Sequence, residues 1–203
     1  MENYGLGDND WLGNLYMRRE KWVPAYLRRK FCAGISTTQR SESMNKFFKD
    51  YVHSSTTISD FVCQYEQALN ARYLKEKEQD VKTKNSVPIL KTCYKMEVEV
   101  AKVYTRKMFM KFQEELFCSK KYKASKYCEG VKKINKVVAH GKESPFYEVS
   151  LDIVETKTIC TCHMFEFVGI ICRHILAVFV KKSLVHFFSS HYILETWTIN
   201  ATL

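Results

Sequence analysis

The stretch of sequence that decides the fold reads Cys160-Thr161-Cys162-His163-Met164-Phe165-Glu166-Phe167-Val168-Gly169-Ile170-Ile171-Cys172-Arg173-His174. Its cysteines and its last histidine follow the spacing C-x-C-x9-C-x-H. Thiolate and imidazole are ligands that Zn²⁺ prefers, and four of them fill a tetrahedron without leaving a position for water or substrate. The pattern therefore predicts one structural zinc ion, held by Cys160, Cys162, Cys172 and His174.

The residues around this motif predict the elements that carry it. Apolar and polar residues alternate over 146–154 and again over 158–162, which is typical of a β-hairpin. On its second strand Cys160 and Cys162 are expected to share a face. Positions i and i+2 do not share a face of a helix, so Cys172 is expected at the entrance of a helix that ends near Lys182. These elements predict a ββα zinc module.

The cysteines of this motif could also have a role without a metal. Cys160, Cys162 and Cys172 could be buried thiols that pack as small hydrophobic side chains. Disulfides are disfavoured by the irregular spacing and by an amino terminus unlike a signal peptide. The remaining cysteines are expected to be reduced intracellular thiols: Cys32, Cys63, Cys93, Cys118 and Cys128. His163 is not expected to bind the metal, because neighbouring strand residues point to opposite faces.

The composition predicts a folded protein with a concentrated basic region. The chain has 203 residues, 46% of them hydrophobic, and no apolar run of the roughly 20 residues that a membrane span needs. Its net charge is +10, and residues 71–136 contain 18 basic and 8 acidic residues, whereas the remainder contains 14 of each. This surplus favours contact with nucleic-acid phosphates through Lys120, Lys121, Lys123 and Lys126. Solvated helix faces would also account for it.

Glycine and proline are scarce, with 7 and 3 residues, which indicates long helices before the zinc module. Thr57 and Asp60 resemble a capping box and begin an amphipathic helix whose aromatic residues are expected in the core. A second long helix is predicted from Met96 to about Phe117. The lysine-rich stretch 120–136 is interpreted as a linker.

Several segments together resemble one family. The segments are WLGNLY at 11–16, KWVPAYL at 21–27 and AGISTTQRSESMN at 33–45, which are similar to the C-terminal part of a Mutator-like transposase domain. With the SWIM-type C-x-C-x9-C-x-H finger and the residues YIL at 192–194 after it, the chain resembles the FAR-RED IMPAIRED RESPONSE family. These are plant transcription regulators derived from transposases.

The resemblance implies a regulator without catalytic activity. Glu42 occupies the position of the third carboxylate of an RNase-H-like triad, whose chemistry needs several carboxylates around two Mg²⁺ ions. The partner aspartates are expected upstream of this chain, and Asp8 and Asp10 are better explained as helix-capping residues. The family's separate N-terminal DNA-binding zinc domain is also expected outside the chain. We therefore expect a C-terminal fragment or a diverged member.

The predicted fold is α+β, with a mainly helical remnant of an RNase-H-like domain followed by the ββα zinc finger. Its expected division is 1–56 transposase-like remnant, 57–136 long helices with a basic linker, 137–182 SWIM finger and 183–203 tail. The resemblance implies a nuclear, zinc-binding transcription regulator that pairs with family members and contacts DNA non-specifically, without membrane or small-molecule substrate. The alternatives are a remnant transposase or nuclease using Glu42, and a pure interaction module that heterodimerises with longer relatives.

Overall fold

The chain combines a helical region with a small antiparallel sheet, in agreement with the predicted α+β class. The computed structural model describes residues 10–34, 42, 45–49, 52–53, 55–85, 87–129, 133–152, 157–186 and 188–201. The core is formed where the last helices before the sheet meet the sheet and the helix that crosses it. Within the described ranges, no helix combines the length and apolar character required to cross a membrane.

Among the described residues, the part of the chain up to residue 34 contains three short helices: α1 (Asp10–Met17), α2 (Arg19–Trp22) and α3 (Pro24–Leu27). Val23 separates the last two, with the extended backbone that a following proline favours. Arg19 stabilises the turn from α1 to α2, because its guanidinium lies 4.2 Å from the centre of the Tyr16 ring.

Helix α4 (Ile58–Asn85) is the long helix that the sequence predicted. The Thr57 hydroxyl caps it, accepting a hydrogen bond from the Asp60 backbone N–H at 3.2 Å and donating one to the Asp60 carboxylate at 2.6 Å. The prediction that its aromatic face lies in the core is wrong, since Phe61, Tyr65 and Leu69 are between 40% and 43% exposed. Amphipathic spacing identifies an apolar face but does not say what covers it.

The predicted second helix is interrupted in the middle. Helices α5 (Lys95–Val103) and α6 (Arg106–Ser119) are separated by Tyr104, whose backbone is extended. The Tyr104 hydroxyl donates to the Tyr192 carbonyl at 2.8 Å, and the Thr105 N–H donates to the Trp197 carbonyl at 3.1 Å. At the break, the Thr105 N–H therefore bonds outside the helix, as does the Val103 carbonyl, which accepts from the Ile199 N–H at 2.9 Å. The predicted apolar face is buried on both sides of it: Met96, Val100, Tyr104, Met108, Phe112 and Leu116.

The interpretation of 120–136 as a linker is wrong, because most of this stretch belongs to two strands. The sheet contains β1 (Tyr122–Glu129), β2 (Lys133–Ala139), β3 (Phe146–Leu151) and β4 (Thr158–Cys160), antiparallel and in chain order. Ala124 of β1 is paired with Val137 of β2, and both are buried. Since strand residues alternate between faces, a few apolar side chains suffice to bury one face while lysines occupy other positions.

Helix α7 (Met164–Val168) and helix α8 (Arg173–Lys181) follow the sheet. Helix α8 crosses the buried face of the sheet with the predicted apolar stripe, of which Ile175, Leu176, Val178 and Phe179 are buried. At its end, the Lys181 ammonium donates to the Ala124 carbonyl at 2.6 Å. The zinc motif therefore lies between a sheet and a helix that share one core.

Candidate metal centre

The structure brings the four predicted ligands together at the junction of β4, a turn and α8. Cys160 is the last residue of β4, Cys162 lies in the turn that follows, Cys172 is the N-cap of α8 and His174 lies in its first turn. One sulfur or nitrogen atom from each lies within 4.8 Å of all the others. Cys160, Cys172 and His174 are buried. The ligand atoms of a tetrahedral zinc ion are about 3.8 Å apart, so this cluster fits one ion.

The predicted entrance position of Cys172 is confirmed, but the geometry of Cys162 differs from the prediction. The strand ends at Cys160, where the His163 N–H donates to the Cys160 carbonyl at 3.0 Å and closes a tight turn. The neighbouring Thr161 N–H still donates to the Glu148 carbonyl of β3 at 3.0 Å. The turn, and not a shared strand face, therefore directs both sulfurs to one place.

Two tyrosines from the sheet fix the ring of His174. The Tyr147 ring stacks on it with centroids 3.7 Å apart, and the Tyr122 ring meets it edge-on at 4.9 Å. Its Nδ1 atom lies 3.7 Å from the Cys160 sulfur, so this nitrogen faces the thiols. Sequence reasoning missed both tyrosines, although the alternation in β3 places Tyr147 on the same face as the buried Val149.

The nine residues between Cys162 and Cys172 form a compact connection. Gly169 has φ +79°, a left-handed conformation that favours glycine, and a Cβ there would lie 2.4 Å from Leu194 Cδ1. The Trp197 indole donates to the Val168 carbonyl at 3.0 Å, next to this glycine. Residues beyond 183 thus support the segment 163–171. This segment sets the distance between the ligand pair Cys160 and Cys162 and the ligand pair Cys172 and His174.

His163 is outside the group of candidate ligands, as predicted. It has φ 53° in the turn, and its Nδ1 atom lies 3.9 Å from the Glu166 carboxylate. The left-handed turn, and not the alternation of a strand, directs its side chain elsewhere.

The three thiols are hydrogen-bonded to one another, and these bonds together with burial shift their pKa values. A hydrogen bond with Cys162 raises the pKa of Cys160 to about 12, and burial raises that of Cys172. Hydrogen bonds donated by Cys160 and Cys172 lower the pKa of Cys162. Because zinc binds thiolates, metal binding must release the protons that the raised pKa values favour on Cys160 and Cys172.

A buried carboxylate from the helical region holds the start of α8. Glu115 of α6 accepts hydrogen bonds from the Arg173 backbone N–H at 2.8 Å, from its Nε at 3.0 Å and from its Nη2 at 2.5 Å. The first N–H groups of a helix have no partner within the helix, and a negative charge there is favoured by the helix dipole. Because Arg173 lies between Cys172 and His174, this pair orients two ligands at once. The sequence signal that could have indicated this contact is a charged residue, Glu115, on the apolar face of α6.

The remaining candidates from the sequence form no comparable site. Glu42 is exposed and borders a shallow cleft with Asn45, Lys46 and Lys49. Asp10 begins α1, and Asp8 lies outside the described residues. Across the described ranges, the one group of three or more candidate metal ligands is the Cys160 cluster. Four other cysteines with described side chains are free thiols: Cys32, Cys63, Cys93 and Cys118.

The lysines predicted to contact phosphates are all exposed. Lys120 and Lys121 lie at the end of α6 and in the turn after it, and Lys123 and Lys126 lie on β1. Lys123 and Lys126 lie on the edge strand β1, which contacts α8, and Lys120 and Lys121 directly precede it, so these lysines are close to the finger in space.

The comparisons with known proteins agree with this geometry. The SWIM zinc finger family model matches residues 147–183, which include all four ligands. With the Cys₃His cluster, the match establishes a site for one structural zinc ion. No solved structure matches the chain. The expected division at residues 56, 136 and 182 stays a prediction.

Relatives in Arabidopsis thaliana align along the whole chain. FAR1-RELATED SEQUENCE 5 is 44% identical over 99% of this chain and 26% of its own length. FAR1-RELATED SEQUENCE 9 is 38% identical over 100% of this chain and 37% of its own length. FAR-RED IMPAIRED RESPONSE 1 is 34% identical over 99% of this chain and 24% of its own length. The chain thus spans between about a quarter and somewhat over a third of these relatives, and it belongs to the FAR-RED IMPAIRED RESPONSE family.

Proposed function

We propose that this chain is a non-catalytic, zinc-stabilised module of a nuclear transcription regulator. The observation that carries the proposal is the closed Cys₃His site, which uses every position of a tetrahedral ion and is joined to the helical region by Glu115 and Arg173. Such a site holds elements in place and offers no position for a substrate. The name of the relative FAR-RED IMPAIRED RESPONSE 1 supports a role in the response to far-red light.

Contacts with other family members are the first part of this function. Helix α4 presents large apolar side chains to solvent, among them Ile58 at 87% and Leu74 at 65% exposed. Exposed apolar surface of this extent is typical of protein interaction sites. The module therefore acts as a homodimer or as a heterodimer with longer relatives.

Contact with nucleic-acid phosphates is the second part. Exposed positive charge beside the finger is supplied by Lys120, Lys121, Lys123 and Lys126. Their contribution is sequence-independent affinity that weakens steeply as salt rises.

The mainly helical region before the sheet is, in this proposal, a remnant of an RNase-H-like transposase domain. The motif around Glu42 supports this ancestry. Mg²⁺ chemistry on DNA requires more than one carboxylate, and among the described residues Glu42 belongs to no group of three or more candidate metal ligands. Purified protein supplied with Mg²⁺ or Mn²⁺ is expected to leave DNA uncut, and Glu42→Gln to change nothing. Cleavage that disappears in Glu42→Gln would establish the nuclease alternative.

A reporter experiment tests the regulatory role. The chain is fused to a heterologous DNA-binding domain and brought to a promoter in plant cells. We expect a change in reporter output that Cys172→Ser abolishes, because the finger unfolds, and that Cys93→Ser retains, because Cys93 is an exposed thiol outside the cluster. A fusion without effect on the reporter, or equal output from wild type and Cys172→Ser, would contradict the proposal.

A further inference from the structure

A concave site lies at the carboxyl-terminal end of α8, whereas the zinc ligands lie at its start. It is a pocket of about 600 Å³ between the end of α8, the strands β2 to β4 and the segment after residue 183. Leu151, Phe179 and Tyr192 give it apolar walls, and all three are otherwise buried core residues. Pockets of about 300 to 1,000 Å³ with apolar walls and few polar groups are typical of sites for small organic ligands.

One wall of the pocket contains a buried hydroxyl without a partner. Thr158 is 4% exposed, and its Oγ1 atom makes no hydrogen bond. Its backbone N–H, in contrast, donates to the Tyr192 hydroxyl at 2.8 Å. A buried hydroxyl left unpaired is unfavourable and is typically retained where something else satisfies it.

The rim of the pocket is basic. Lys133 at the start of β2 and Lys182 at the end of α8 both line it, with His186 nearby, against Asp152 as the one carboxylate in the described lining. Burial, followed by repulsion from Lys133, Lys126 and Lys181, lowers the pKa of Lys182. Lys182 is thus close enough to three other ammonium groups to be repelled by them, and a bound anion would relieve that repulsion.

We propose that this pocket binds an amphipathic organic anion, with its apolar body against Leu151, Phe179 and Tyr192 and its carboxylate at Lys133 and Lys182. The depth and apolar walls favour such a ligand over a bare phosphate, which would need only the lysines. The Thr158 hydroxyl donates to the bound ligand and gains its missing partner. This site is distinct from the zinc cluster, although β3, β4 and α8 contribute to both, and it does not depend on the proposed regulatory role.

Binding of straight-chain carboxylates tests the proposal directly. The zinc-loaded protein is titrated with pentanoate, hexanoate, octanoate and decanoate by calorimetry. Affinity is expected to rise about fourfold per methylene group, because each buried methylene adds hydrophobic free energy. Octan-1-ol should bind more weakly than octanoate. Equal affinity along the series, or displacement of octanoate by inorganic phosphate or a single-stranded oligonucleotide, would overturn the proposal and assign the lysines to phosphate.

Three variants locate the ligand. Lys133→Gln and Lys182→Gln should each weaken octanoate binding about tenfold through loss of a charge-assisted hydrogen bond. Lys142→Gln, an exposed lysine just beyond the opposite end of β2, should not change it. Thr158→Val should weaken octanoate binding while leaving the thermal midpoint unchanged or higher, since it removes an unpaired buried hydroxyl. Unchanged affinity in Lys133→Gln and Lys182→Gln, or in Thr158→Val, would contradict the assigned contacts.

Discussion

Helix α4 and helix α8 both place apolar residues at helical spacing, but the apolar stripe of α8 is much stronger and the two helices have opposite surroundings. In α8 the stripe is buried against the sheet and the helix begins at a zinc ligand, whereas in α4 one residue, Ala68, is buried among those described. The difference lies both in the apolar pattern and in what each helix packs against. A metal site, a sheet and a buried carboxylate fix α8, while α4 has its cap and a few contacts, such as the stacking of Phe48 on Tyr65. Periodicity therefore predicts a helix, and tertiary contacts decide whether its face is core or surface.

Loss of a zinc ligand should give the largest difference in stability between the finger and α4. Structural zinc typically contributes about 10 to 16 kcal/mol of apparent binding free energy at neutral pH. In Cys160→Ser we expect β3, β4 and α8 to unfold and α4 to stay helical. Limited proteolysis followed by mass spectrometry measures this, with Cys93→Ser as the control. Protection of the finger equal to wild type would contradict the account.

Zinc affinity should depend steeply on pH. The pKa of Cys160 and that of Cys172 are raised without metal, so binding at neutral pH releases about two protons and the affinity increases about a hundredfold per pH unit. The stability that zinc gives the finger is accordingly lost as pH falls. Competition with a chromophoric chelator from pH 7 to 8 measures the slope. A flat profile would show that the thiols are already ionised in the metal-free protein.

The Glu115–Arg173 contact should contribute less than the metal. Glu115→Gln removes the negative charge and keeps the shape, so we expect a loss of about 1 to 3 kcal/mol in free energy of unfolding, reduced by the partial exposure of Arg173. Chemical denaturation of the zinc-loaded protein measures it. The neighbouring Glu114→Gln is the matched control because Glu114 is exposed. An equal loss of unfolding free energy in Glu115→Gln and Glu114→Gln would contradict the orienting role of Glu115.

Substitutions on the exposed face of α4 should have the smallest effect on the free energy of unfolding. Leu69→Ala is expected to cost about 0.5 kcal/mol or less in free energy of unfolding, since the side chain is largely solvated. The same truncation at the fully buried Leu176 should cost about 2 to 5 kcal/mol. Thermal denaturation of dilute protein measures both. A large cost at Leu69 would mean that this face is covered in solution.

Local patterns in the sequence predicted the features that depend on spacing. The four ligands, the hairpin of β3 and β4, the entrance position of Cys172 and the apolar face from Met96 to Leu116 all follow from period and spacing. The strands β1 and β2 were missed because their lysines lower the apolar content, although a strand needs only alternate apolar residues.

Features that depend on contacts between distant residues could not be predicted. At the break between α5 and α6, the Tyr104 hydroxyl bonds to the Tyr192 carbonyl, 88 positions away. Glu115 binds Arg173, which is 58 positions away. Lys126, Lys133 and Lys182 come from different segments and lie close enough for their charges to interact near a pocket that no single segment forms. Spacing gives no information about such contacts, because tertiary packing creates them.

The most direct test of the central claim is the zinc content of protein purified without chelators, measured by elemental mass spectrometry beside a Cys172→Ser variant. We predict one zinc ion per chain in the wild type and its loss in the variant. Protein that folds without zinc, or a Cys172→Ser variant that keeps one ion per chain, would contradict the assignment of Cys160, Cys162, Cys172 and His174 as a structural metal centre.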